Sequence, residues 1–114
     1  MAQFIDIYDR VWGDGDITNY IEVSSTNNLI AFEMNDGTTY EVGVPSGNYA
    51  FNSISRTSNL VNEINLQCQS AAVPIRAYVG GVRMDRKYNC IVFQSTNSKK
   101  LVKVSGSFTD LYLD

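Results

Sequence analysis

Asn35-Asp36-Gly37 constrains this chain more than any other segment. Asp-Gly between two stretches of alternating residues is a strong short-range signal for a β-hairpin, because glycine supplies the positive φ that a tight reversal needs. The flanking stretches, Leu29 to Met34 and Thr39 to Val44, therefore read as paired antiparallel strands. The rest of the chain has to be fitted around that pair.

Further strands are expected on both sides of it. Phe4-Ile5-Asp6-Ile7-Tyr8 alternates weakly and reads as an edge strand or as a docking arm spanning residues 1–15. Trp12 and the turn Gly13-Asp14-Gly15-Asp16 follow, and Tyr20 to Val23 reads as a strand ending in Ser24-Ser25-Thr26-Asn27-Asn28. At Pro45-Ser46-Gly47-Asn48-Tyr49 the chain is expected to leave the sheet, since proline cannot donate to a ladder. Ile75 to Val79, Cys90 to Phe93, Leu101 to Ser105 and Leu111 to Leu113 complete the expected strands, with Val82 to Met84 as the start of a further leg after Gly80-Gly81.

Between these groups the apolar period changes from two to about 3.6 residues. From about Ser53 to Ala71, the side chains of Ile54, Thr57, Leu60, Val61, Ile64, Cys68 and Ala71 fall on one helical face. Ser55, Asn59, Asn62 and Gln69 take the other face, and Leu66 projects among them, opposite Leu60. So many Ser and Asn make a weak helix former, which has to be held by packing on a sheet. The order of elements predicts one domain over residues 1–114. Its expected class is α+β and mostly β, with antiparallel sheets and one helix (about 53–71) packed on a face.

Composition narrows the function. Nine basic against twelve acidic residues give a net charge of −3, which is no footprint for nucleic acid. No apolar run approaches the roughly 18 residues that span a bilayer. Asp6, Asp9 and Arg10 interrupt any signal-peptide core, so a soluble protein made in the cytoplasm is expected. Cys68 and Cys90 lack metal-site spacing and read as buried reduced thiols, with a single disulfide between them as the alternative.

The chain contains no histidine, which removes Ser-His and Cys-His nucleophile systems and most catalytic zinc sites. It has no phosphate-binding loop, and Asp14, Asp16 and Glu22 do not complete a calcium loop. No enzymatic activity, cofactor or metal is expected. Seven tyrosines and Trp12 offer a sugar-stacking platform in principle, although Tyr40, Tyr49 and Tyr78 also fit as sheet and core aromatics. Apolar residues at the chain ends stand out instead. Phe4, Ile5, Ile7, Tyr8 and Trp12 at one end, Leu111, Tyr112 and Leu113 at the other, and Leu66 on the helix are the candidate interface residues.

From about Leu29 to Leu113 the order of motifs resembles a module of tailed-phage structural proteins and of the repeat domains of flagellar hook-associated proteins. Its parts are the Asn35-Asp36-Gly37 hairpin, the Pro45-Ser46-Gly47-Asn48-Tyr49 exit, and the helix segment Leu60-Val61-Asn62-Glu63-Ile64-Asn65. Ala77-Tyr78-Val79, Ile91-Val92-Phe93-Gln94-Ser95 and Val102-Lys103-Val104-Ser105 follow. Asn97-Ser98-Lys99 stands where the module commonly has Gly, and Leu111-Tyr112 replaces its Leu-Gly close.

The resemblance implies a virion component at the head surface, neck or tail, made in the bacterial host and present in many symmetric copies. Its expected partners are itself and other virion proteins, with neither nucleic acid nor membrane. The alternative is a small ligand-binding β module that takes carbohydrate through exposed tyrosines.

Overall fold

The computed structural model describes residues 4–13, 15–18, 21–80 and 89–108. In chain order its strands are β1 (Phe4–Ile5), β2 (Val11–Trp12), β3 (Ile21–Val23), β4 (Leu29–Met34), β5 (Thr39–Gly43), β6 (Gly47–Tyr49), β7 (Phe51–Asn52) and β8 (Thr57–Ser58). Helix α1 (Asn59–Ser70) follows, and then β9 (Ile75–Val79), β10 (Ile91–Ser95) and β11 (Leu101–Ser105). Every strand pair is antiparallel. The protein is α+β and mostly β, as the order of sequence signals predicts.

Two sheets build the core. The first has the order β1-β2-β10-β9 and the second β11-β4-β5, with β3-β6 and β7-β8 as small ladders. Along β4, Ile30, Phe32 and Met34 are buried while Leu29 and Glu33 are exposed, the period of two expected of a strand with one face on a core. The inner faces of the two sheets meet where the rings of Phe32 and Phe93 lie edge to face, 5.2 Å between centroids.

The central hairpin closes as its sequence requires. Met34 N–H donates to the Thr38 carbonyl at 2.8 Å, Gly37 N–H donates to the Met34 carbonyl at 3.0 Å, and Gly37 sits at φ +88°. A three-residue loop ending in a left-handed glycine is one of the favoured hairpin connections.

Pro45 does take the chain out of the second sheet, but the strand expectation missed what comes next. Gly47–Tyr49 pairs with β3, with Ile21 opposite Tyr49 and Val23 opposite Gly47.

Helix α1 is shorter than the 53–71 expected from periodicity. Ile54 is 96% exposed at the tip of the β7–β8 hairpin, and Thr57 lies in β8, so neither is on the helical face. The cause is local hydrogen bonding. Asn52 Oδ1 accepts from the backbone N–H groups of Ile54 and Ser55 at 3.0 and 3.1 Å, and Arg56 turns through φ +55°. A side chain that satisfies the following amides favours a turn over a helix. The helix then starts at Ser58, whose Oγ accepts from Val61 N–H at 3.1 Å, and Ser58 is itself buried.

Leu60, Val61, Ile64 and Cys68 form the buried face of α1, as predicted, and the helix lies against β9 and β5. Ala71, expected on that face, is the exposed C-cap. The end of the helix is a Schellman motif: Val73 N–H donates to the Cys68 carbonyl at 2.8 Å and Ala72 N–H to the Gln69 carbonyl at 3.2 Å. Ala72 occupies the left-handed position, φ +56°, that glycine usually takes there. No helix among the described residues is long and apolar enough to cross a membrane.

Candidate interaction surface

The residues singled out at the N-terminus fold into the edge of the chain's own first sheet. β1 pairs with β2 through Phe4 opposite Trp12 and Ile5 opposite Val11. β2 in turn pairs with β10, setting Val11 opposite Phe93 and Trp12 opposite Val92. Side chains alternate across a strand, so Ile5, Val11, Phe93 and Ala77 form one row on the core face. That row is closed along most of its length and opens at its end: Ala77 is 2%, Phe93 0%, Val11 2% and Ile5 47% exposed.

The tip between β1 and β2 is organised by Asp6. Its Oδ1 accepts from the backbone N–H groups of Tyr8 and Arg10 at 2.9 and 3.0 Å. Its Oδ2 accepts from Arg10 Nε and from the indole Nε1 of Trp12, both at 2.7 Å. Burial pushes the Asp6 carboxyl up, but the indole, backbone and guanidinium donors together outweigh it and leave the group below its ordinary value. The Arg10 guanidinium, held by this carboxylate, lies over the ring of Tyr8 (5.2 Å to its centroid) and near that of Trp12 (5.6 Å). Trp12 packs so closely on β9 that a Cβ at Gly80 would meet its Cζ3 at 2.8 Å and Val92 Cγ2 at 2.4 Å, so this position needs glycine.

The two edges of the first sheet differ. At the two ends of the β9–β10 ladder, Gly80 N–H donates to the Cys90 carbonyl and Thr96 N–H donates to the Pro74 carbonyl. Even-numbered residues therefore bond to β10, and odd-numbered ones face outward. Of these, Ala77 is held on both sides by Asn65 of α1: Asn65 Nδ2 donates to the Ala77 carbonyl at 3.0 Å, and Ala77 N–H donates to Asn65 Oδ1 at 2.8 Å. Ile75 N–H is taken by the Val73 carbonyl. At the opposite edge, Asp6 N–H donates to the Arg10 carbonyl, which turns the N–H and C=O of Ile5 away from β2. Nothing among the described residues pairs with them.

Of the remaining candidates, Ile7 and Tyr8 lie at the hairpin tip, 89% and 64% exposed, and Trp12 is half-buried in β2. Leu66 is 57% exposed on α1, which packs on β9 and so lies at the far edge of the sheet from the hairpin. The structure thus brings Ile5, Ile7, Tyr8 and Trp12 together with the backbone of Phe4, and separates Leu66 from them. Leu111, Tyr112 and Leu113 lie outside the described residues, as does the expected leg Val82 to Met84.

The tyrosines divide as well. Tyr40 and Tyr49 are partly buried against the core, and Tyr78 Oη donates to Gln94 Oε1 at 3.3 Å. Tyr8 is the exposed one among the described residues. It borders a cleft of about 240 Å³ whose other walls are Asp9, Gln94, Ser95, Asn97, Ser98, Lys99 and Lys100.

Sequence reading took Asp6, Asp9 and Arg10 only as charges that interrupt an apolar stretch and missed their roles in the tip. The available signal was the spacing of Asp6, Arg10 and Trp12, which places two donors within reach of one carboxylate when the chain reverses between them. Among the described residues no three of His, Cys, Asp or Glu come together as a metal site.

The fold is mostly β, and the four-stranded sheet has one edge covered in part by α1 and another, at β1, that pairs with nothing among the described residues. No family model matches the chain, and searches of curated proteins and of solved structures return no match.

Proposed function

We propose that this chain is a non-enzymatic structural protein that assembles through the unpaired β1 edge, with Ile5, Ile7 and neighbouring apolar residues as its contact surface. The observation that carries this reading is the asymmetry of the first sheet. At β9 both outward groups of Ala77 are taken by Asn65 and the N–H of Ile75 by Val73, whereas at β1 nothing among the described residues takes the outward N–H and C=O of Ile5, which lie beside a half-exposed apolar side chain. An unpaired edge is a template for another strand, and folds that have no use for one usually blunt it. A strand added here would extend the core-facing row beyond Ile5. The setting we propose, a tailed-phage particle in which the partners are further copies and other virion proteins, is supported by the motif order from Leu29 onward.

The test is Ile5→Lys combined with Ile7→Lys, at exposed positions where the fold tolerates charge. Sedimentation velocity should show concentration-dependent association of the parent chain and a monomeric variant with unchanged melting temperature. A parent chain that stays monomeric both alone and with particle proteins, or a variant that still associates, overturns the edge-assembly reading. Mass spectrometry of purified particles tests the setting, and absence of the chain from them overturns it.

A further inference from the structure

The hairpin tip also borders a cleft whose lining differs in chemistry from the β1 edge. Where Tyr8 and Asp9 approach the segment Gln94 to Lys100, the cleft of about 240 Å³ is walled by one aromatic ring, two side-chain amides, two hydroxyls, one carboxylate and two ammonium groups. We propose that this cleft binds a single saccharide unit, with the ring of Tyr8 as its stacking face.

The ring is held in place for that task. The Arg10 guanidinium lies 5.2 Å from the Tyr8 centroid, and Asp6 anchors that guanidinium at 2.7 Å. One face of the ring is thus fixed against a cation, while the side chain as a whole stays 64% exposed. An exposed aromatic face suits the C–H surface of a pyranose, which is apolar on one side and ringed by hydroxyls.

The opposite wall is rigid for its own reasons. Asn97 Oδ1 accepts from Ser95 Oγ at 2.9 Å and from Lys99 N–H at 2.9 Å. Asn35 and Lys100 exchange two further bonds that tie the segment to the central hairpin, Asn35 N–H to the Lys100 carbonyl at 2.8 Å and Lys100 N–H to Asn35 Oδ1 at 3.1 Å. These contacts use acceptors and leave donors over. Gln94 accepts from Tyr78 through Oε1, so its Nε2 is available to a ligand, as is Asn97 Nδ2. Lys100 Nζ stands 3.7 Å from Asp9 Oδ2, an exposed pair that offers both a donor and an acceptor to vicinal hydroxyls.

Size and charge point the same way. Sites for drug-sized ligands run to roughly 300–1,000 Å³, so this cleft fits one sugar ring rather than a larger molecule. The Asp9 carboxylate beside Lys100 makes it a poor anion site, while a neutral polyol can use both groups. Affinity from so shallow a cleft is expected in the millimolar range.

The experiment is a titration of the isotope-labelled full chain with glucose, galactose, mannose, N-acetylglucosamine and N-acetylgalactosamine, followed by amide and side-chain NMR shifts. Inorganic phosphate serves as the anion control. With at least one sugar, saturable shifts are expected at Tyr8, Gln94, Asn97 and Lys100. They should persist in Tyr8→Phe and weaken about tenfold in Tyr8→Ala. Spectra elsewhere in both variants should match the parent, because the side chain is exposed. Absence of saturable shifts with every sugar, shifts undiminished in Tyr8→Ala, or a response to phosphate alone would each overturn the proposal. Assembly is read separately, by sedimentation of the variants at Ile5 and Ile7, neither of which lines this cleft.

Discussion

Asn65 closes the edge of β9 at Ala77 as a neighbouring strand would, donating to its carbonyl at 3.0 Å and accepting from its N–H at 2.8 Å. The primary amide reproduces the donor and acceptor of a peptide group, so one side chain replaces a strand at the point where the helix crosses. Asn65→Ala leaves both Ala77 groups without a partner in a half-buried place. The expected loss is about 1–3 kcal/mol by urea denaturation. The variant should also associate more strongly with concentration, because a second edge becomes available for pairing.

Ile64 and Ile54 have the same side chain and opposite roles. Ile64 is fully buried on α1, and Ile54 is 96% exposed at the β7–β8 tip. Ile64→Ala should cost about 2–5 kcal/mol, while Ile54→Ser should stay within about 0.5 kcal/mol. A comparable loss at both positions would mean that the helix does begin near Ser53.

The same pair marks where the sequence stops being legible. Leu60, Val61, Ile64 and Cys68 follow the helical period because burial selects apolar side chains at that spacing, and period is visible in a string of letters. Ile54 continues the pattern by coincidence. What removes it from the helix is the reach of the Asn52 side chain to two amides, a geometric event with no periodic trace. Asn65 and Asp6 were hidden for a related reason. Each acts through bonds to groups that only the folded chain brings near, so Asn65 read as one more letter of a motif and Asp6 as one more surface charge. The candidate interface residues of the hairpin were legible as apolar positions, but the cover that Asn65 gives β9 at Ala77, which sets that edge apart from β1, was not.

Ala72 carries a cost that glycine would remove. It stands at φ +56° in the Schellman position after α1, where a Cβ is unfavourable by about 1–2 kcal/mol. Part of that gain is returned as the greater freedom of glycine in the unfolded chain. Ala72→Gly should therefore raise stability by about 0.5–1 kcal/mol, measured by thermal or urea unfolding.

Cys68 and Cys90 are both buried thiols outside any disulfide, and burial pushes the Cys68 thiol up to about 11. A thiol in that state is neither nucleophilic nor accessible near pH 8. An aromatic disulfide reagent should consume no thiol from the native protein and should titrate both Cys68 and Cys90 in denaturant. Reductant should leave the melting temperature unchanged, whereas a disulfide would contribute about 2–4 kcal/mol.

The hairpin tip should loosen in acid at a pH set by Asp6. Burial alone would raise this carboxyl. The indole N–H of Trp12, the backbone N–H and guanidinium of Arg10, and the backbone N–H of Tyr8 all favour its charged form, and the net position lies below 3.8. With the folded value below the unfolded one, the unfolded chain binds more protons between the two. The contribution of Asp6 is therefore fully present above about 3.8 and is lost as pH falls through the lower, folded value. Trp12 reports on this directly, since it is the only tryptophan in the chain and its Nε1 donates to Asp6 at 2.7 Å. Acid titration should shift the Trp12 indole resonance and its emission with a midpoint below about 3.8. In Asp6→Asn, which keeps an acceptor but carries no charge, that transition should be absent. A midpoint at or above about 3.8 would mean that burial outweighs the four donors and that the carboxylate does not organise the tip.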